Sequence, residues 1–514
     1  MNQNPELMSP AILSTERSAR KEDKEGNMEN DRQEKAMEVV NEEEEDRLRL
    51  TWRMFAKEVK EVICVAGPMV AVNYSTFFLQ TIALMMVGHL GKLAQSSTGV
   101  AISLCAVTGF SVIFGLASAL ETLCGQAYGA KQYKKFGVQI QTGIFCLLLC
   151  CIPLSMLWLN LGRVLVVLGQ DPLIAHEAGK FAVCLIPALF GYAILQALVR
   201  FYLMQSMITP LVISSSLNYH LPCSFCWTLV FKSGMGRFGG AFAIGISYWL
   251  NVMLLALYMK FSDSCAKTRV PISMELFRGI RDFFRLAIPS AVMACLQWWS
   301  YEVTTLLAGL LRPNPQLETS ILAVCVSMNV TIYSIPESVG SAASTRVSNA
   351  LGAGNAQAAR VAALCSRILS ACEALIVSSI VLSSRNVLGH VFSNEPEVIG
   401  YVSDIAPLLA LSVFADSLQG ALTGIARGSG WQRIGAYVNF GAYYVVGIPL
   451  SAILGFLVRL RGKGLWLGIT SGTICQVIIL LVIISCTDWE KEAKKARERT
   501  LKRCLPEDHE NVSI

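Results

Sequence analysis

Charge is scarce in this 514-residue chain: Asp, Glu, Lys and Arg make up 16% of it, where a soluble domain carries about 25%. That deficit excludes a string of water-soluble domains as the main body. Histidine is scarcer still. The five residues His89, His176, His220, His390 and His509 form no pair at metal-binding spacing. No HExxH, Walker A or GxSxG motif occurs, which removes the machinery of a metalloprotease, a nucleotide-driven pump and a serine hydrolase. The chain is therefore not expected to be an enzyme or to hold a metal or cofactor. No basic stripe alternates with aromatics, so nucleic acid is not an expected partner. Residues 1–50 are polar and lack the apolar core of a signal peptide.

What is abundant is apolar. Hydrophobic residues reach 53% and mean hydropathy is +0.49. The seventeen cysteines suggest a disulfide framework by number, but most stand inside apolar runs, as do Cys105, Cys146, Cys150, Cys151, Cys295 and Cys325. Cys223 and Cys226 make a CxxC with no second pair. All read as small apolar filler. Apolar runs fall near 62–87, 99–119, 138–161, 178–199, 207–229, 239–260, 286–310, 320–340, 363–383, 401–424, 436–457 and 466–486. Runs of about 20 residues match a hydrocarbon core of roughly 30 Å. The expected fold is an all-α integral membrane protein of about twelve transmembrane helices. Basic residues concentrate after the even-numbered runs (Lys131, Lys134 and Lys135; Lys260 to Arg285; Arg346 and Arg360; Arg427 and Arg433). By the positive-inside rule both termini are then cytosolic, although Arg459, Arg461 and Lys463 run against the trend.

The chain repeats itself. Pro68 and Pro289 are 221 apart; Thr122 and Thr345, and Gly129 and Gly352, are 223 apart; Pro172 and Pro396 are 224 apart; Arg200 and Arg427 are 227 apart. Ordered pairs at nearly one offset predict two pseudo-symmetric six-helix lobes. Six runs per lobe make the repeats parallel, with a site between them that rocking exposes to each side in turn. The expected divisions are a disordered cytosolic tail at 1–55, an N-terminal lobe at 56–262, a cytosolic inter-lobe linker at 263–285, a C-terminal lobe at 286–487 and a basic cytosolic tail at 488–514. Small-residue spacings at Gly420, Gly424 and Gly428, and at Gly464, Gly468 and Gly472, predict close helix approach.

Carboxyls inside apolar runs are costly, by about 2.5–3.5 kcal/mol on insertion scales. The first lobe has none within its runs; Glu121 stands at a run's end. The second has Glu302 and Asp416 deepest, with Glu337, Glu373 and Asp404 nearer span ends, where a structural role is expected. Stepping back by the repeat from Glu302 and Asp416 lands on Thr81 and Leu189, so the first lobe has no acidic counterparts. Withdrawal from water favours the neutral form of a carboxyl, and two close carboxyls favour one shared proton. Glu302 and Asp416 are thus the candidate proton-coupling residues, with the proton as coupling ion. Gln297, Trp298, Tyr301, Gln419 and Tyr443 are candidates for a substrate cavity, a role for which plain packing of the aromatics is an equal alternative.

Five segments carry a family resemblance: Glu121-Thr-Leu-Cys-Gly-Gln-Ala-Tyr-Gly-Ala130, Trp298-Trp-Ser-Tyr-Glu302, Leu317-Glu-Thr-Ser320, Ser344-Thr-Arg-Val-Ser-Asn-Ala-Leu-Gly-Ala-Gly-Asn355 and Ala426-Arg-Gly-Ser-Gly-Trp-Gln432. Over about 55 to 490 the chain resembles the multidrug and toxic compound extrusion (MATE) family, of the plant detoxification type. The resemblance implies two six-helix lobes, export of a small organic substrate in exchange for protons, and coupling acids in the C-terminal lobe. It also implies residence in the plasma membrane or the vacuolar membrane, with a monomer sufficient for function. The chain departs from some relatives in having an amide at Gln297, no acid between Pro68 and Gly91, and an acid at Glu337. Two other readings stay open: a flippase for lipid-linked substrates, which calls for mid-span cations, and a polytopic receptor or scaffold that transports nothing.

Overall fold

The computed structural model describes residues 52–501, apart from 168 and 393–395 and the side chains at 92, 218–223, 391 and 392. The expected N-terminal tail up to residue 51 and the basic tail from 502 lie outside the described residues. Of a first unit, Met1–Glu58, this leaves 52–58, which are helical with the Trp52 and Phe55 rings edge to face. The second unit is Val59–Ile514.

All regular structure among the described residues is helical. The first half holds α1 (Trp52–Gly88), α2 (Leu93–Gly129), α3 (Tyr133–Leu159), α4 (Pro172–Met204), α5 (Thr209–Trp227, extended by a π-helical turn to 232) and α6 (Arg237–Phe261). The second holds α7 (Ile280–Ala308), α8 (Pro315–Gly352), α9 (Ala356–Ser383), α10 (Pro396–Ser429), α11 (Gln432–Leu457) and α12 (Arg461–Ser485). Each apolar run coincides with one of these helices. Ten of them are long and apolar enough to cross a membrane by composition. In α5 the serines at 214–216 dilute the run; in α7 Arg281, Asp282, Arg285, Gln297 and Glu302 do so. The buried apolar side chains divide along the same line. One cluster is drawn almost wholly from 62–291, and three smaller ones come from 293–496.

Backbone-close seams position the interior. On α8, Pro336, Gly340 and Ser344 recur every fourth residue, and on α10 so do Gly420, Gly424 and Gly428. A β-carbon on Gly420 would overlap Pro336, one on Gly424 would overlap Gly340, and one on Gly428 would overlap Ser344. The constant offset of 84 makes α8 and α10 parallel neighbours in full contact. The Gly464, Gly468 and Gly472 series brings α12 equally close to α11, here antiparallel, against Leu454, Ser451 and Ala442 in descending order. Side chains here would hold the backbones apart and weaken packing that dispersion must supply inside lipid.

A third seam joins the halves, and it is reciprocal. A β-carbon on Gly129 would overlap Asn349; one on Gly352 would overlap Gln126. Both Gly129/Gly352 and Gln126/Asn349 are 223 apart, so the contact maps onto itself under exchange of the halves, as a two-fold axis requires. The amides follow suit. Gln126 Nε2 donates to Gly428 O near the end of α10 (3.4 Å), and Asn349 Nδ2 donates to Met204 O at the end of α4 (3.0 Å).

Between the halves, the linker is fastened to the first. Gln141 donates to Val270 O (2.7 Å), Thr142 to Leu276 O (2.9 Å) and Thr268 to Gln205 (3.0 Å). Lys134 pairs with Glu275 at 2.8 Å and holds that exposed carboxyl below its ordinary range. Beyond α12 the basic tail forms α13 (Trp489–Leu501), whose Trp489, Ala493 and Ala496 are buried. Arg499 donates to Gln126 (3.5 Å) and to Ser429 O (3.4 Å), so α13 touches both halves where they meet.

The α8–α10 seam is tested by Gly424→Ala, which forces a β-carbon into Gly340. It is expected to cost about 1–3 kcal/mol and lower the melting temperature in detergent by several degrees. Gly441→Ala, with open space at its β-position, is expected to change stability by less than about 0.5 kcal/mol.

Candidate functional site

The face of α10 beside its glycines is polar. Asp416, Gln419, Thr423 and Arg427 recur at three- and four-residue steps and so share one side of the helix. α8 answers with Asn329, Tyr333 and Glu337, each four apart. The close seam lets these stripes meet rung by rung. Asn329 Nδ2 donates to Asp416 Oδ2 at 3.0 Å, Tyr333 Oη to Gln419 Oε1 at 3.1 Å, and Arg427 Nη2 to Glu337 Oε1 at 3.1 Å. α7 adds a third wall: Tyr301 Oη donates to Asp416 Oδ1 (3.3 Å), and Gln419 Nε2 donates to Gln297 Oε1 (3.0 Å) and to Thr423 Oγ1 (2.8 Å).

Asp416 is buried, and its partners are a phenol, an amide and the Thr473 hydroxyl, all neutral. No lysine or arginine pairs with it among the described residues. Tyr443 is buried on α11, within an eight-residue π-helical stretch, and donates to Gln476 Oε1 (2.7 Å). Gln476 donates to Asn439 Oδ1 (2.7 Å), and Asn439 donates to Met293 O (2.7 Å). This chain fixes α11 and α12 to α7 beside the aspartate.

Glu302 is placed elsewhere. Adjacent helical residues project about 100° apart, so aiming Tyr301 at Asp416 turns Glu302 toward α2. There it stands near the Ser103 hydroxyl and lines a cavity of about 290 Å³ between the halves. The first half contributes Asn73, Gln80, Phe110 and Tyr192 to this cavity; the second contributes Trp298, Tyr333 and Glu337. The expected close pair of carboxyls, Glu302 with Asp416, is therefore not formed. Both Asp416 oxygens are taken by Asn329 and Tyr301, and the two acids address different surroundings.

Of the five cavity candidates, Trp298 lines this cavity, and Gln297 and Trp298 line a smaller one beside it that reaches Arg427. Trp298 meets Tyr333 edge to face at 5.7 Å. Tyr301, Gln419 and Tyr443 are not walls of either space and belong to the hydrogen-bonded core around Asp416. Among the acids given a structural role, Asp404 pairs with Lys463 at an exposed rim (3.1 Å). Glu373 buries both carboxyl oxygens beside the Ser417 side chain, with no aligned hydrogen bond among the described residues.

Sequence reasoning missed a buried charge cluster. Arg427 Nε lies 3.1 Å from Glu121 Oε2, Arg200 Nη2 lies 3.6 Å from Glu121 Oε1, and Arg427 also holds Glu337. Glu121, Arg200 and Arg427 are each no more than 6% exposed. Each stands near the end of an apolar run, where charge is unremarkable in sequence. The available signals were the repeat, which pairs Arg200 with Arg427, and the four-residue stripe Asn329, Tyr333, Glu337.

The MatE family model matches the chain twice, over residues 68–228 and 289–453. The two matches begin at Pro68 and Pro289, the first pair of the internal repeat. The chain belongs to the MATE family. It is 56% identical to Protein DETOXIFICATION 14 of Arabidopsis thaliana over 464 residues, covering 89% of this chain and 96% of that one. It is 52% identical to Protein DETOXIFICATION 10 of the same plant over 456 residues, covering 88% and 93%. The crystal structure of the eukaryotic MATE transporter AtDTX14 superposes with a TM-score of 0.84 at 56% identity, over 87% of this chain and all of that one. A multidrug resistance MATE family transporter in an outward-facing conformation shares the fold at 14% identity, with a TM-score of 0.74 over 85% and 97%. This MATE protein is thus a multi-pass integral membrane efflux transporter and not an enzyme, as the resemblance implied.

Arg427→Ala would strand Glu337 and leave Glu121 with Arg200 alone, and is expected to cost about 3–5 kcal/mol. Lys463→Ala, which breaks the rim pair with Asp404, is expected to cost less than about 1 kcal/mol. Thermal unfolding of both variants in one detergent checks the contrast.

Proposed function

We propose that this MATE protein exports a small organic compound from the cytosol in exchange for protons, by rocking its halves about the cavity between them. Asp416 and Glu302 bind the protons. The observation that carries this reading is that, among the described residues, neither acid has a cationic partner, whereas Glu121 and Glu337 have one. A carboxyl inside a membrane protein without a neighbouring cation takes up a proton or has to be hydrated. Asp416 has its place fixed by Tyr301 and Asn329, so a shift of α7 or α8 alters its surroundings. Glu302 faces the space a solute would enter.

The excess of Lys and Arg after the even-numbered helices supports cytosolic termini. The reciprocal seam at Gly129 and Gly352 then lies at the cytosolic end, and this conformation is sealed on that side. Plasma membrane and vacuolar membrane both meet the energetic requirement. A 100 mV potential supplies about 2.3 kcal/mol per charge and one pH unit about 1.4 kcal/mol, together supporting a gradient of several hundredfold per proton. The aromatic walls at Trp298, Tyr333, Tyr192 and Phe110 suit a flat organic solute. One chain contains the whole site, so a monomer suffices.

The test is proteoliposome transport under an imposed pH gradient. Glu302→Gln and Asp416→Asn are each expected to cut gradient-driven substrate flux about tenfold or more, within the span of an ordinary coupling free energy. Unchanged proton and substrate fluxes in both variants would remove the coupling assignment and favour a transporter driven otherwise.

A further inference from the structure

The charge cluster divides evenly between the halves. Glu121 and Arg200 belong to the first, Glu337 and Arg427 to the second. Within the second half, Arg427 Nη2 makes an aligned hydrogen bond to Glu337 at 3.1 Å. Across the halves, Arg427 Nε approaches Glu121 Oε2 equally closely, at 3.1 Å, yet neither atom has an aligned hydrogen-bond partner. Arg200, the repeat counterpart of Arg427, has no carboxylate of the same kind. Stepping back 223 from Glu337 reaches Phe114, and the Arg200 guanidinium lies over the Phe114 ring at 4.8 Å. The first half therefore has a ring where the second has an acid, and Glu121 alone serves Arg200.

We infer that Arg427 is a bolt shared between Glu337 of its own half and Glu121 of the other, and that Glu337, which faces the cavity, is the positioning residue that sets how firmly the bolt holds this end shut. Stranding a charge is what makes buried ion pairs hard to part. Here separation strands none, because Glu121 keeps Arg200 and Glu337 keeps Arg427. Each half leaves as a neutral pair, and among the ion pairs of the cluster the one lost is the unaligned contact between Arg427 and Glu121. The inference rests on the rocking motion proposed above, but not on protons being the coupling ion.

The arrangement predicts opposite signs for two similar substitutions. Glu337→Gln leaves Arg427 with one carboxylate, the one across the interface, so the closed end is strengthened. Glu121→Gln removes the cross-half partner of Arg427 and leaves the Arg200 guanidinium without a carboxylate, facing the like charge of Arg427 across the interface, so the closed end is weakened. Phe114→Glu gives Arg200 a second acid in its own half, releases Glu121 to Arg427 and strengthens closure.

Spin labels at Lys131→Cys and Gln357→Cys report the separation at this end. Both positions are exposed, one following α2 and the other opening α9. The full chain is used in lipid nanodiscs, with accessible cysteines including Cys64, Cys372 and Cys486 replaced by serine. Glu337→Gln is expected to raise the ratio of short to long distances about fivefold or more, and Glu121→Gln to lower it comparably. Should Glu337→Gln fail to fold, Phe114→Glu carries the same expected sign. Shifts of one sign for Glu121→Gln and either other variant, or no shift in any, would overturn the bolt. The distances are read without substrate or pH gradient, so a wild type that moves no protons would defeat the coupling proposal alone.

Discussion

The polar ladder in the second half of this transporter depends on how closely α8 lies against α10. Two backbones in contact along Pro336, Gly340 and Ser344 on one side and Gly420, Gly424 and Gly428 on the other leave no room for side chains between them. The neighbouring stripes are thereby brought within hydrogen-bond range. Asn329 reaches Asp416, Tyr333 reaches Gln419, and Glu337 reaches Arg427 because the seam has already fixed the register. A polar ladder of this kind is tolerable inside lipid only if nearly every group is satisfied, and the glycines make that geometry available.

The ladder also explains a division of labour among the acids. Glu121 and Glu337 are held by arginines and belong to the contact between halves. Asp416 is held by neutral donors, and Glu302 faces the cavity; among the described residues neither has a cation beside it. Pseudo-symmetry sharpens the contrast. The halves share glycines, amides and arginines at equivalent positions, but the second carries Glu302, Glu337 and Asp416 where the first carries Thr81, Phe114 and Leu189. The common elements build the interface; the unequal ones supply its chemistry.

Much of this was legible in the sequence because lipid imposes simple rules. Apolar runs located α1 to α12, the repeated prolines and glycines located the two halves, and a carboxyl amid leucine and alanine drew notice to Glu302 and Asp416. Three things were not legible. Adjacent positions 301 and 302 diverge on the helix, so Tyr301 and not Glu302 meets Asp416, a relation that depends on how α7 is rotated. Glu121, Arg200 and Arg427 sit where helices outlast the apolar run, as α8 does well past 340, and charge at a run's end is ordinary until a partner from the other half is found. The basic composition of the C-terminal tail gave no sign that Trp489, Ala493 and Ala496 would face inward and hold α13 in place.

The central claim is that Asp416 exchanges a proton as the protein works. Infrared difference spectroscopy between acidic and alkaline buffer, on the full chain in lipid, reads carboxyl protonation without any knowledge of the solute. A carbonyl-stretch band of a protonated carboxyl should appear on acidification in the wild type and lose one component in Asp416→Asn. A spectrum unchanged by that substitution would contradict the assignment.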